Sequence, residues 1–276
     1  MTHLRAAEVF LSISPEIIYP GRLVTVTLTM NYDIKEIRGD VEGHKLYFNK
    51  LENTNQYSAL WPVDLQEHLG KRTAHITTIL KDGRTLHYAA DFDVVTKEYG
   101  RRDLEFEKEY DQKTLDRINA EKDKINVVLE KKSAKQLWKS AFIKPVEGPL
   151  SGEFGRKTFI KGEERSPHAA IDIAATVGTK IQATNDGVVA FTHEDLYFEG
   201  KLILIDHGQG LYSIYVHLNK ISVKKGQKVK KGDVIGEVGQ TGRAAGPHLH
   251  FGMKLFNKRV DPQDIFNLVT YEVPNV

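Results

Sequence analysis

Strict alternation opens the pattern. Val24-Thr-Val-Thr-Leu-Thr-Met30 places an apolar residue at every second position, the period of a half-buried strand, and Pro20-Gly21 ahead of it is a turn signal. His75-Ile-Thr-Thr-Ile-Leu80 and Leu86-His-Tyr-Ala-Ala-Asp-Phe-Asp-Val94 flank Lys81-Asp82-Gly83-Arg84, and Asp-Gly between two such runs predicts a hairpin. Residues 8–97 therefore read as an all-β domain, a small sandwich of the immunoglobulin-like kind. The period then changes. Leu115, Ile118, Ile125, Val128 and Leu129 fall on one stripe at helical spacing, with Asp111 placed to cap a helix that begins near Gln112. Residues 98–144 read as a helical connector that Pro145 ends, and its apolar stripe should dock on a neighbouring domain. From 145 to 276 short strands return between glycine turns: 180–183, 187–191, 201–206, 211–216 and 233–238, with one helical pattern at Pro262–Phe266. The fold class is mainly β, and the last domain is antiparallel.

Composition narrows the chemistry. The 276 residues suffice for two cores. A net charge of +2 makes no case for nucleic acid but tolerates a mildly anionic polymer. Cysteine is absent, which excludes thiolate metal sites, disulfides and cysteine nucleophiles. No apolar run approaches the roughly 20 residues of a membrane span, so no integral membrane segment is expected. Met1-Thr-His-Leu-Arg-Ala-Ala7 lacks the apolar core of a secretory leader.

Histidines carry the candidate chemistry. In Gly246-Pro-His-Leu-His250 two imidazoles lie two apart and share one face of a strand. One can bind a metal while the other stays free for proton transfer. His168-Ala-Ala-Ile-Asp172 can supply two more ligands. Two imidazoles and one carboxylate leave a fourth tetrahedral position of Zn²⁺ for water, as a hydrolytic zinc site requires. Taken singly each piece is weak: a histidine in a strand is commonly a packing residue, and a His/Asp pair four apart is commonly a surface pair.

Several separated blocks strengthen one another. Ser166-Pro-His-Ala-Ala-Ile-Asp-Ile-Ala174, Ala183-Thr-Asn-Asp-Gly-Val188, Ile205-Asp-His-Gly-Gln-Gly210, Tyr215-Val-His-Leu218 and Gly239-Gln-Thr-Gly-Arg-Ala-Ala-Gly-Pro-His-Leu-His-Phe251 occur in order, and the region from about 146 to 265 resembles the lysostaphin-like (LytM-type) zinc endopeptidases. The resemblance implies cleavage of peptide bonds in the stems or cross-links of bacterial peptidoglycan, one Zn²⁺ held by His168, Asp172 and His250, and catalytic roles for His217 and His248. It implies a β domain with the zinc cleft on one face of its sheet. It further implies an exported protein of the periplasm or cell envelope. Peptidoglycan is the expected partner, and a regulatory protein is a second candidate. The β and helical region ahead of the peptidase favours a D-Ala–diaminopimelate bond over a glycine cross-bridge, and the first domain is expected to restrict or direct access to the cleft.

Other residues fall outside that set. Phe154-Gly155-Arg156 matches a loop of the family, and the planar fork of Arg156 suits a substrate carboxylate. His207 reads as structural; His3, His44, His68, His75, His87 and His193 have no constellation about them. The basic run Lys224–Gly232 reads as a solvated hairpin, with contact to an anionic glycan or phospholipid as the alternative. Two other functions compete with this one. A catalytically inactive peptidoglycan-binding or regulatory member of the same family would typically lack ligands that this chain retains. A biotinyl-type carrier would need a Met-Lys pair at a hairpin tip, and Met253-Lys254 lies in strand-like sequence instead.

Overall fold

The computed structural model describes residues 9–105 and 109–268, so the expectation for His3 lies outside the described residues. The chain separates into two compact units, 1–97 and 98–276.

The first unit pairs two four-stranded sheets. One runs in the order Phe10–Ser14, Leu23–Thr29, Gln56–Pro62, Asn49–Lys50 and the other His44–Lys45, Ile34–Val41, Gly70–Leu80, Thr85–Val94. The Thr-alternating segment does what its pattern dictates: Val24, Val26 and Leu28 are fully buried while the threonines between them are half-exposed. The Asp82-Gly83 turn closes a hairpin whose register runs from Ile79–Thr85 to Gly70–Val94. Both sheets send side chains into one core, which contains Val26, Trp61, Val41, Ile76 and Phe92.

The second unit is built on a ten-stranded sheet whose central order is Ile171–Ala174, His248–Leu255, Leu211–Ile221, Gly200–Asp206, Gly187–Leu196, every pair antiparallel. Alternation gives this sheet two distinct faces. Tyr215, Leu249 and Phe251 are buried on one, where Phe251 stacks on Phe266 of the short helix Pro262–Phe266. Tyr212, Ile214 and Val216 lie on the other.

Residues 98–144, read from sequence as a connector, belong to this second unit. Asp111 caps the helix Gln112–Leu129, accepting from the Thr114 N–H at 2.8 Å. The helix lays Ile125, Val128 and Leu129 against Leu196, Leu202, Leu204, Tyr212 and Val216. Leu115, assigned to the same stripe, is 38% exposed, because only the C-terminal half of the helix is seated. Glu121 fixes the other half by polar contacts: it accepts from Arg117 at 2.7 Å and from the Tyr197 N–H at 2.8 Å. Ahead of the helix, Arg101–Leu104 forms a strand parallel to Lys157–Ile160, and Glu163–Arg165 completes a small three-stranded sheet.

Candidate metal centre and its cleft

Strand register assembles three donors. Asp172 pairs directly with His250 across two antiparallel strands, and Ala174 with His248. Their chain neighbours Ile171, Ile173, Leu249 and Phe251 are buried, so alternation turns Asp172, His248 and His250 to the open face. His168 arrives from the preceding turn, held by a paired backbone contact: its N–H donates to the Arg156 carbonyl at 2.9 Å and its carbonyl accepts from the Gly155 N–H at 2.8 Å. Asp172 Oδ1 lies 2.9 Å from His250 Nδ1 and 3.2 Å from His168 Nε2, and the two ring nitrogens are 3.2 Å apart.

That triangle fits a small tetrahedral cation. Ligand bonds of about 2.0–2.1 Å place tetrahedral donors about 3.3 Å from one another. The donor set of two imidazoles and a carboxylate also suits zinc better than calcium or magnesium. His168 Nδ1 donates to the Glu153 carbonyl at 2.8 Å, which fixes the tautomer and leaves Nε2 as the ligating atom. Burial acts to raise the Asp172 carboxyl pKa, but hydrogen bonds from His168 and His250 reverse this and hold it well below the ordinary range. His250 is pushed down by burial, so its neutral, ligand-competent form prevails.

Two further imidazoles border the triangle. The His217 and His248 ring centres are 4.9 Å apart, and His217 is 5.7 Å from His250. Each turns Nδ1 to a carbonyl oxygen at 2.8 Å, Thr241 for His217 and Gly246 for His248. A carbonyl only accepts, so these contacts assign the proton to Nδ1 and leave Nε2 with a lone pair. Burial pushes His217 down to about 4, with the neighbouring His250 adding to the effect, and it stays neutral.

His217 reaches the cleft by breaking the strand's period. Val216 is paired with His250 and shares its face, so a regular strand would send residue 217 to the opposite side. Instead His217 has a left-handed backbone, φ 64°, at an irregularity in the pairing with Gly200–Asp206. Its N–H donates to the Glu199 carbonyl at 3.0 Å. The turn 239–243 that supplies the Thr241 carbonyl is itself fastened: the Arg243 N–H donates to the Phe198 carbonyl, and the Thr241 hydroxyl donates to the Leu218 carbonyl, both at 2.8 Å.

All five residues named from sequence therefore meet in one cleft of about 500 Å³, which Arg156 also lines. Sequence reasoning did not name Arg102, Glu199 and Arg243, which share it. Glu199 is half-buried and its carboxyl is raised by that burial, with Glu121 adding repulsion. Arg243 Nη1 donates to the Tyr110 hydroxyl at 2.5 Å. His207 does not line the cleft; it is fully buried, with Nδ1 donating to the Asp186 carbonyl at 2.7 Å and Nε2 2.8 Å from Ser213 Oγ. In the basic run, Lys230 pairs with Asp186 at 2.8 Å and Lys231 reaches Ser140 Oγ at 2.7 Å, so part of it braces the hairpin.

Comparison with known proteins points the same way. The sequence profile of peptidase family M23 matches residues 166–262. The chain is 46% identical over 86 residues to the peptidoglycan DD-endopeptidase ShyA of Vibrio cholerae, covering 31% of this chain and 20% of that protein. It is 35% identical over 163 residues to an uncharacterised metalloprotease of Buchnera aphidicola, covering 59% and 43%. It thus spans less than half the length of these curated relatives. A crystal structure from Pseudomonas aeruginosa assigned to peptidase M23 superposes with a TM-score of 0.68 at 30% identity, covering 90% of this chain and 94% of that one.

Proposed function

Because the chain belongs to peptidase family M23, we propose that it is a zinc-dependent endopeptidase that hydrolyses peptide bonds in bacterial peptidoglycan, of the D-Ala–diaminopimelate type, within the cell envelope. The convergence of His168 Nε2, Asp172 Oδ1 and His250 Nδ1 within 3.2 Å of one another, beside two unligated imidazoles, is the observation that carries this reading. Zn²⁺ on those three atoms would supply a Lewis acid that polarises the scissile carbonyl and brings the pKa of water towards about 7.

The protein's own groups do the rest. Their carbonyl partners engage Nδ1 of His217 and His248 and leave Nε2 to face the cleft, where that of His248 lies 3.7 Å from Asp172 Oδ1. Either lone pair can accept the proton of the attacking water, and the imidazolium so formed can hydrogen-bond the developing oxyanion or pass the proton to the departing amine. Depression of His217 by burial keeps it in the accepting form throughout the neutral range. The retention of all five residues argues against an inactive, purely binding member of the family.

Digestion of purified sacculi tests the proposal. Sacculi with D-Ala–diaminopimelate cross-links, treated with the protein and then with a muramidase, should yield monomeric muropeptides at the expense of dimers, detected by mass spectrometry. The release should stop with a chelator and resume with zinc. Zinc-loaded protein that releases nothing from these or from glycine-bridged sacculi would instead establish the inactive reading.

A further inference from the structure

Around the cleft mouth the three-stranded sheet carries several cations, and three of them are neutralised by neighbouring carboxylates. Arg101 forks onto Asp103 with contacts of 2.7–3.1 Å and lies over the Phe159 ring. Lys157, on the face of Arg101, lies 3.4 Å from Glu164, and Arg165, which pairs with Thr158 on the face of Arg102, reaches Glu163 at 2.8 Å. Arg102 and Arg156 differ. Among the described residues neither guanidinium has a hydrogen bond or ion pair, and Arg156 Nε is buried with no acceptor. Arg102 pairs with Thr158, and both line the cleft with Arg156, while Arg101 and Asp103 face away. The Arg156 stem crosses Gly100, where a β-carbon would stand 3.8 Å from its Cγ, two residues before Arg102 on the same side.

A buried N–H without an acceptor costs free energy until an acceptor joins it, and the exposed Arg102 lines the same cleft. We propose that Arg102 and Arg156 together bind a substrate carboxylate on the carbon that bears the scissile nitrogen. The proposal rests on the endopeptidase reading above and narrows its substrate class. Arg156 and Gly155 each make one backbone hydrogen bond with His168, which places Arg156 beside the metal centre, and both arginines line the same cleft as the three donors. A planar guanidinium accepts a carboxylate bidentately, and a second one on the same wall fixes its orientation. A D-alanyl–diaminopimelate cross-link carries a carboxylate at that carbon, whereas the interior of a glycine bridge carries none. Both arginines lie outside the segment 166–262 that the family profile matches, Arg156 in the Phe154-Gly155-Arg156 loop that resembles the family and Arg102 in the strand Arg101–Leu104.

The test uses the full chain and two cross-linked muropeptide dimers, one with the free carboxylate beside the scissile nitrogen and one with the carboxamide. Cleavage is read as kcat/KM, and binding of the two corresponding amine-side product peptides is read by calorimetry. The acid forms should be preferred about tenfold or more in both readouts. Arg102→Gln and Arg156→Gln should each erase most of that preference by lowering the acid value alone. Arg102→Lys should keep part of it, which separates lost charge from lost fold. An acid preference unchanged in both glutamine variants, or an equal fall for acid and amide, would overturn the clamp. If the wild type prefers the acid in binding but cuts neither dimer, the clamp stands and the endopeptidase reading falls. Equal cutting and equal binding of acid and amide remove the clamp and leave that reading intact.

Discussion

Gly152 lies against the carboxylate of Asp172. A β-carbon at position 152 would stand 2.0 Å from Asp172 Oδ2 and 2.7 Å from its Cγ. The edge strand Leu150–Gly152 pairs with Ile171–Ala174 and brings Gly152 opposite Asp172, so the ligand's orientation depends on a missing side chain. Gly152→Ala should swing the carboxylate away from His168 and His250 and weaken zinc binding roughly 10–100-fold, the range found for groups that orient ligands. Competition with a chromogenic chelator measures it. Wild-type affinity in the variant would show that the carboxylate can pivot in place.

His217 and His248 are expected to serve chemistry and not metal retention, since their Nδ1 atoms are occupied by carbonyls and the three-donor triangle closes without them. His217→Ala and His248→Ala should bind zinc stoichiometrically and lose about 10²–10⁴ in turnover. His250→Ala should lose the metal. Metal content of the three purified variants decides the matter. A His217 or His248 variant as metal-poor as the His250 variant contradicts the assignment.

The buried His207 makes stability depend on pH. Burial depresses its folded pKa from 6.5 to about 4, so the unfolded chain takes up a proton first as pH falls. The stabilisation is complete above pH 6.5 and is lost as pH falls towards 4. Between pH 7 and pH 5 the loss is about 2 kcal/mol. Urea unfolding at the two values should show that much extra pH dependence in the wild type over His207→Gln, and identical slopes would remove the account.

Most of the site was legible in the sequence because its parts are local blocks whose order resembles one family. Histidines 248 and 250 share a strand face by the period of two, and the His168/Asp172 block adjoins the same sheet. What escaped depends on relations that no single segment carries. The left-handed turn at His217 reverses the face that alternation assigns, and it exists because the strand is bulged against its neighbour. Arg102 reaches the cleft through a parallel pairing over fifty residues away in sequence, in a stretch whose charge masks any strand pattern. Gly152 matters through the space it leaves, which composition cannot express. The helix was visible from its stripe and its cap, but the stripe does not show that only its C-terminal half is seated and that Leu115 stays 38% exposed.

The compact unit that carries the site begins at Glu98, well ahead of the peptidase-like segment. Val128, Leu129, Trp138 and Phe142 are buried in the second unit. The segment around them is bound at many points: the Tyr212 hydroxyl donates to the Lys131 carbonyl at 3.0 Å, the Leu137 N–H to the His207 carbonyl at 2.8 Å, and Asn185 Nδ2 to the Ser140 carbonyl at 2.7 Å. A fragment of residues 145–276 would leave Leu196, Leu202, Leu204 and Tyr212 uncovered, and would also lose the strand that carries Arg102. Each large apolar side chain removed forfeits about 1.5–3 kcal/mol. Residues 98–276 should therefore fold, melt cooperatively and take up one zinc, while 145–276 should melt far lower and bind a hydrophobic dye. Equal melting temperatures would mean that the helix and its flanks are dispensable. The longer fragment also tests the first unit. If that unit restricts access, 98–276 should exceed the full chain on soluble cross-linked peptides; if it directs the enzyme to the wall, 98–276 should fall behind on sacculi alone. Equal rates on both substrates would exclude both roles.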